Sequence, residues 1–97
     1  MKLWIKLFER HKVAGETVLE NSLRRPDTAE EWVSVLSEAL KPLDTSCPVL
    51  MNCHVRDFDM FSRASFLPSD FMENVPFERM EAEILREKKP DGTYKDL

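Results

Sequence analysis

Hydrophobic and polar residues alternate near the start of the chain. Leu3, Ile5 and Leu7 fall on one side of an extended segment, and Trp4, Lys6 and Phe8 on the other. That period of two predicts a β-strand over residues 2–8. A polar break at residues 9–12 leads into a second run rich in β-formers, residues 13–19, and the pair reads as a β-hairpin. Gly15 falls inside the second run and marks a candidate bulge.

The period then changes. After a loop over residues 21–27, Thr28-Ala29-Glu30-Glu31 matches a capping box, in which the hydroxyl accepts from a free backbone N–H and Glu31 reaches back. Trp32, Val33, Leu36, Ala39 and Leu40 follow at spacings of three and four, one apolar face of a helix that Pro42 stops. A second helix is expected to begin at Cys47 or Pro48, capped by Thr45 or Ser46. Its stripe would be Leu50, His54, Phe58 and Phe61.

Residues 65–76 read as an irregular loop between Pro68 and Pro76, packed down by Phe71 and Met72. Met80, Ala82 and Ile84 then alternate with Arg79, Glu81, Glu83 and Leu85, which predicts a third strand. The order β-β-α-α-β implies an α+β fold: a three-stranded antiparallel sheet with two helices on one face, the first strand central. Residues 1–87 form the expected single domain, and 88–97 a flexible tail with a turn at Pro90-Asp91-Gly92.

Composition narrows the class. With 97 residues, 42% hydrophobic and 33% charged, the chain has enough apolar residues for one core, which excludes intrinsic disorder. A net charge of −4 with both signs interspersed gives no basic stripe, so no nucleic-acid partner is expected. Lys2, Lys6, Glu9 and Arg10 interrupt any signal-peptide-like run, and no stretch approaches a membrane span. The expected location is the cytoplasm, with Cys47 and Cys53 as free thiols.

Several segments share a pattern with known proteins. They are Met1-Lys2-Leu3-Trp4-Ile5-Lys6-Leu7, Cys47-Pro48-Val49-Leu50 with His54, Phe58 and Phe61, Phe66-Leu67-Pro68-Ser69-Asp70-Phe71-Met72-Glu73, and Phe77-Glu78-Arg79-Met80-Glu81. Together they resemble a family of short, uncharacterised proteins of anaerobic bacteria, over most of residues 1–85. The resemblance implies a complete protein and brings no activity, cofactor or catalytic residue.

Candidate chemistry is sparse. Cys47, Cys53, His54 and Asp57 include zinc-ligand types, but five residues between the cysteines is not a zinc spacing, and no metal is expected. Cys53 reads instead as a small buried hydrophobe and His54 as a half-buried histidine with a hydrogen-bond partner. His54 and Asp57, three apart on a helix, could form an acid–base pair with Ser62, Ser65 or Cys53 as nucleophile, but no hydrolase signature accompanies them. A ligand site of His54, Asp57 and Asp70 is the speculative form of that idea. Asp57, Asp59, Asp70, Glu73 and Glu78 do not match a calcium loop, and Gly15 and Gly92 make no phosphate loop, so no cofactor is expected.

The surplus of apolar residues points elsewhere. Trp4, Phe8 and Leu85 lie on the strand faces opposite the helices, beside Lys6, Glu81 and Glu83. Two large aromatics are costly to leave in water. Either Phe66, Phe71 and Phe77 fold over them, or they form an interface for a second copy or another protein. In the interface case Lys6, opposite Glu81 or Glu83, would set register. The leading reading is a non-enzymatic interaction module, self-associating through that face. The alternative is a small enzyme or ligand-binding protein using His54 and Asp57.

Overall fold

The computed structural model describes residues 1–20 and 25–85. Four strands and two helices are found among them: β1 (Lys2–Glu9), β2 (Lys12–Glu20), α1 (Ala29–Leu40), α2 (Asn52–Phe61), β3 (Arg63–Phe66) and β4 (Arg79–Leu85). The strands form one antiparallel sheet in the order β2-β1-β4-β3. The expected tail, 88–97, and the turn at Pro90 lie outside the described residues, as do Asn21 and Arg24 of the first loop. No helix among the described residues is long and apolar enough to cross a membrane.

The β1–β2 hairpin closes with Glu9 opposite Lys12, so Arg10 and His11 are its two loop residues. Both have positive φ, 51° and 64°. That is the backbone of a type I′ turn, whose twist suits a hairpin but normally recruits Asn-Gly. Leu7 pairs with Gly15 and Phe8 with Val13, leaving Ala14 as the extra residue of a bulge beside Gly15.

The sequence reading gave three strands, and the fourth is a correction. Ser62, left-handed at φ 57°, ends α2 and turns the chain directly into β3. There Ala64 and Phe66 face inward and Arg63 and Ser65 outward, paired with Ala82, Met80, Glu83 and Glu81. Four residues make too short an alternation to stand out beside Pro68.

The second helix also begins later than expected, at Asn52 rather than Cys47 or Pro48. Neither Thr45 nor Ser46 caps it; Met51 occupies that position. The segment before it stays extended because the Val49 N–H donates to the Asp70 carbonyl at 2.8 Å. The shift leaves Leu50 outside the helix and turns Cys53 and Phe61 outward, Phe61 to 62% exposure. Cys53 is thus exposed, not a buried hydrophobe. α1 matches its signal at the start, where the Glu31 N–H donates to the Thr28 hydroxyl at 3.2 Å. Val33, however, leaves the apolar face and is exposed.

One core lies between the helices and the inner sheet face. Leu3, Ile5, Met80, Ala82 and Ile84 meet Trp32, Leu36, Leu40 and Phe58 there. The Trp32 and Phe58 rings stack at 3.8 Å and 10°, joining α1 to α2. Each large side chain so buried contributes on the order of 1.5–3 kcal/mol. Phe66, Phe71 and Phe77 are buried in this core, so they do not cover Trp4 and Phe8. Met72, expected to pack down with Phe71, points away at 91% exposure.

Replacing Arg10 and His11 by Asn and Gly relieves two left-handed residues without touching the core. The double variant is expected to be more stable by about 1–2 kcal/mol. A urea midpoint at or below that of the native chain would contradict the turn assignment.

Candidate functional site

Residues opposite one another in an antiparallel ladder share a face. The outward face can therefore be read across the sheet in rows. Lys2 lies between Glu20 and Leu85, and Trp4 between Val18 and Glu83, with Arg63 beyond Glu83. Lys6 lies between Glu16 and Glu81, with Ser65 beyond, and Phe8 between Val13 and Arg79. Four cations, Lys2, Lys6, Arg63 and Arg79, thus stand among four carboxylates, Glu16, Glu20, Glu81 and Glu83.

The aromatics are held by this lattice. Lys6 lies along the sheet with its ammonium 4.1 Å from the Trp4 ring centre, 6.0 Å from that of Phe8 and 3.9 Å from a Glu83 carboxylate oxygen. Arg79 sets its guanidinium 4.5 Å from the Phe8 ring centre and bonds Glu81 at 2.9 Å. Each cation–ring contact at a partly solvated site contributes about 0.5–1 kcal/mol. Trp4, Phe8, Leu85 and Lys6 are half-buried, while Val13 and Val18 on the edge strand are each 49% exposed. All four interface candidates therefore share one face. Val13, Val18, Arg63 and Arg79 belong to it too and were missed. Arg79 was legible, since it shares the strand parity of Glu81 and Glu83; Val18 needed the hairpin register.

His54 belongs to a different arrangement. It is 4% exposed, its ring tilted against Phe66 at 4.3 Å. Nδ1 accepts the Met51 N–H at 3.0 Å. An accepting Nδ1 carries no proton, so the neutral ring is protonated at Nε2. Nε2 lies 3.6 Å from an Asp70 carboxylate oxygen that already accepts the Leu67 N–H at 2.8 Å. At that separation the contact is electrostatic and too long for a hydrogen bond. His54 thus caps the start of α2 while Asp70 caps the short 3-10 turn Pro68–Asp70, and the two side chains join both ends.

Asp57 is not the partner that faces His54. It lines a shallow depression of about 220 Å³ with Phe61, Arg63, Ala64 and Ser65. The speculative triad is therefore split, with His54 and Asp70 together and Asp57 elsewhere. Among the described residues no three His, Cys, Asp or Glu side chains are grouped to hold a metal ion. Cys47 and Cys53 are both free. Burial pushes the Cys47 thiol above its ordinary range, partly offset by a hydrogen bond with Ser37.

No family model, no curated protein and no solved structure matches the chain. Function must therefore be argued from the surfaces themselves.

Two outcomes follow from this geometry. His54→Ala strands the Met51 N–H and opens a void beside Phe66, so it should cost about 2–4 kcal/mol. Asp70→Asn keeps an acceptor for Leu67 and should cost less than about 1 kcal/mol. Urea melts give the order, and imidazole nitrogen shifts should report the Nε2–H tautomer; equal costs or an Nδ1–H ring would refute the capping role. In thiol alkylation Cys53 should react well before Cys47, whose thiolate is disfavoured by burial, and denaturant should erase the difference. Equal rates in the folded chain would contradict that burial.

Proposed function

We propose that this chain is a non-enzymatic protein-interaction module that self-associates through its outward sheet face. One observation carries the reading: the face gathers Trp4, Phe8, Val13, Val18 and Leu85 among charges that cancel, four against four. A second copy laid on a neutral, mixed-sign face meets no net repulsion, and a two-fold axis can set carboxylates of one copy against cations of the other. A partner of strong net charge would gain nothing from such a face, which favours a second copy. Trp4, Phe8 and Leu85 would be the anchors, and Lys6 would fix their orientation.

The enzymatic alternative has less support. His54 is buried, with Nδ1 taken by the Met51 N–H and Nε2 facing the Asp70 carboxylate at 3.6 Å, so it offers no open position to a substrate. The cytoplasm is the proposed location, since two free thiols suit a reducing compartment.

The test is Trp4→Thr with Phe8→Thr, measuring mass in solution and thermal stability together. At about 0.5 M salt, where exposed charge pairs are screened, the native chain should still show concentration-dependent association. The double variant should lose it while keeping its fold, at a stability cost of about 1.5–3 kcal/mol from the three cation–ring contacts. Unchanged mass with a large loss of stability would make the lattice purely structural. A native chain that is monomeric at every concentration would remove the proposal.

A further inference from the structure

A second surface lies on the helix side of the hairpin end. A groove of about 290 Å³ is floored by Leu7, Leu43, Val75 and Phe77. Its lining also holds three carboxylates, Glu9, Asp44 and Glu73, and no basic residue. None of the three makes an ion pair among the described residues. An apolar floor under unpaired carboxylates suits an occupant with an aliphatic stem and a cationic head, which describes arginine and lysine.

Such an occupant is present on the same molecule, a few residues away. Glu9 and Ala14 line the groove, and between them the chain makes the exposed tip with Arg10, His11 and Lys12. Within one protomer neither Arg10 nor Lys12 makes an ion pair with Glu9, Asp44 or Glu73. A copy related by a two-fold axis can present its tip there, and its own groove then receives the first tip. Donor and acceptor side by side on one protomer are what a closed, isologous dimer requires. The strained turn agrees with this: Arg-His holds two left-handed residues where Asn-Gly would be relaxed, and strain of this kind is retained where the side chains serve a purpose.

We infer that the tip at Arg10 and Lys12 of one copy docks in the acidic, apolar-floored groove of a second copy, and reciprocally. This contact is separate from the sheet face and stands or falls without it.

The experiment is a charge swap, made in the Trp4→Thr, Phe8→Thr chain so that the sheet face cannot contribute. One variant adds Arg10→Asp and Lys12→Glu; Asp tolerates the left-handed position. The other adds Asp44→Lys and Glu73→Lys. Sedimentation of the parent should show a dimer at about 0.05 M salt that dissociates near 0.5 M, as screening shortens the reach of the charges. Each reversed variant alone should dimerise more weakly by tenfold or more, on the order of one rim charge pair. An equimolar mixture should recover the dimer, because each tip then meets a groove of opposite sign. A parent monomeric at low salt, or a mixture no tighter than its components, overturns the inference. If the Thr background does not fold, judged by circular dichroism, the same series in the native chain tests recovery on mixing by the same criterion. The Arg10→Asn, His11→Gly variant separates binding from folding: it should be more stable and yet lose the salt-sensitive dimer, and its retention would also overturn the inference.

Discussion

The antiparallel pairing of β1 with β4 is the constraint on which the rest of this structure depends. It runs from Lys2 opposite Leu85 to Phe8 opposite Arg79, and it joins the two ends of the described fold. Most of the chain, residues 10–78, lies between the paired strands, so closing them carries a large entropic cost. The return is that both central strands bury one side completely: Leu3, Ile5 and Leu7 on β1, and Met80, Ala82 and Ile84 on β4. A one-residue slip of this register would turn one of the two strands over, bringing Trp4, Lys6 and Phe8 inward on β1 or Arg79, Glu81 and Glu83 inward on β4. The core would then receive charged side chains in place of apolar ones, at a cost no side contact could offset. The same register places Lys6 between Trp4, Phe8 and Glu83, so the outward face is a consequence of the inward one.

The helical layer is fixed by aromatic and capping contacts more than by helix propensity. Trp32 stacked on Phe58 joins α1 to α2, and Phe58 leans on Phe66 of β3 at 6.4 Å. The His54–Asp70 contact then ties the start of α2 to the turn after β3. Without it, residues 47–51 would be held to the body chiefly by the Val49 bond to Asp70 and by the partly buried Cys47 and Leu50. Here a histidine in a sequence with few catalytic signals does structural work that any acceptor of the right reach could do in part.

What was legible in the sequence follows from the reach of each signal. β1 and β4 declare themselves because their alternation is long and one-sided. α1 does so because Thr28 caps it and Pro42 ends it. β3 was missed because Ala64 and Phe66 give only two inward positions, and a left-handed Ser62 does not mark itself in the sequence. The start of α2 was misplaced because Pro48 is a good first-turn residue, while the bond holding Val49 extended comes from Asp70, far along the chain. Local rules cannot see that bond. The same limit explains the site: grouping His54 with Asp57 follows helical spacing, whereas the Asp70 that faces it arrives through tertiary folding. The outward sheet residues differ in this respect. Trp4, Lys6, Phe8 and Leu85 share a face by strand parity alone, and parity needs no tertiary information.

The sheet edges bear on the proposed association as well. An open edge is the usual route by which sheets join. Here β3 offers four residues, too few for a stable added strand. β2 is longer, but its ladder is interrupted by the bulge at Ala14 and Gly15, and Lys12, Glu16 and Glu20 stud its length. Those are the devices by which edges are kept from pairing. With both edges blunted, the apolar side chains that remain outside the core can be covered only by approach onto a face or into a groove. The charges set among them decide which approaches are tolerated: under the proposed association the neutral outward face would admit a copy of itself, and the carboxylate-lined groove a cation. Blunted edges and selective faces together favour small, closed assemblies over open-ended sheet growth.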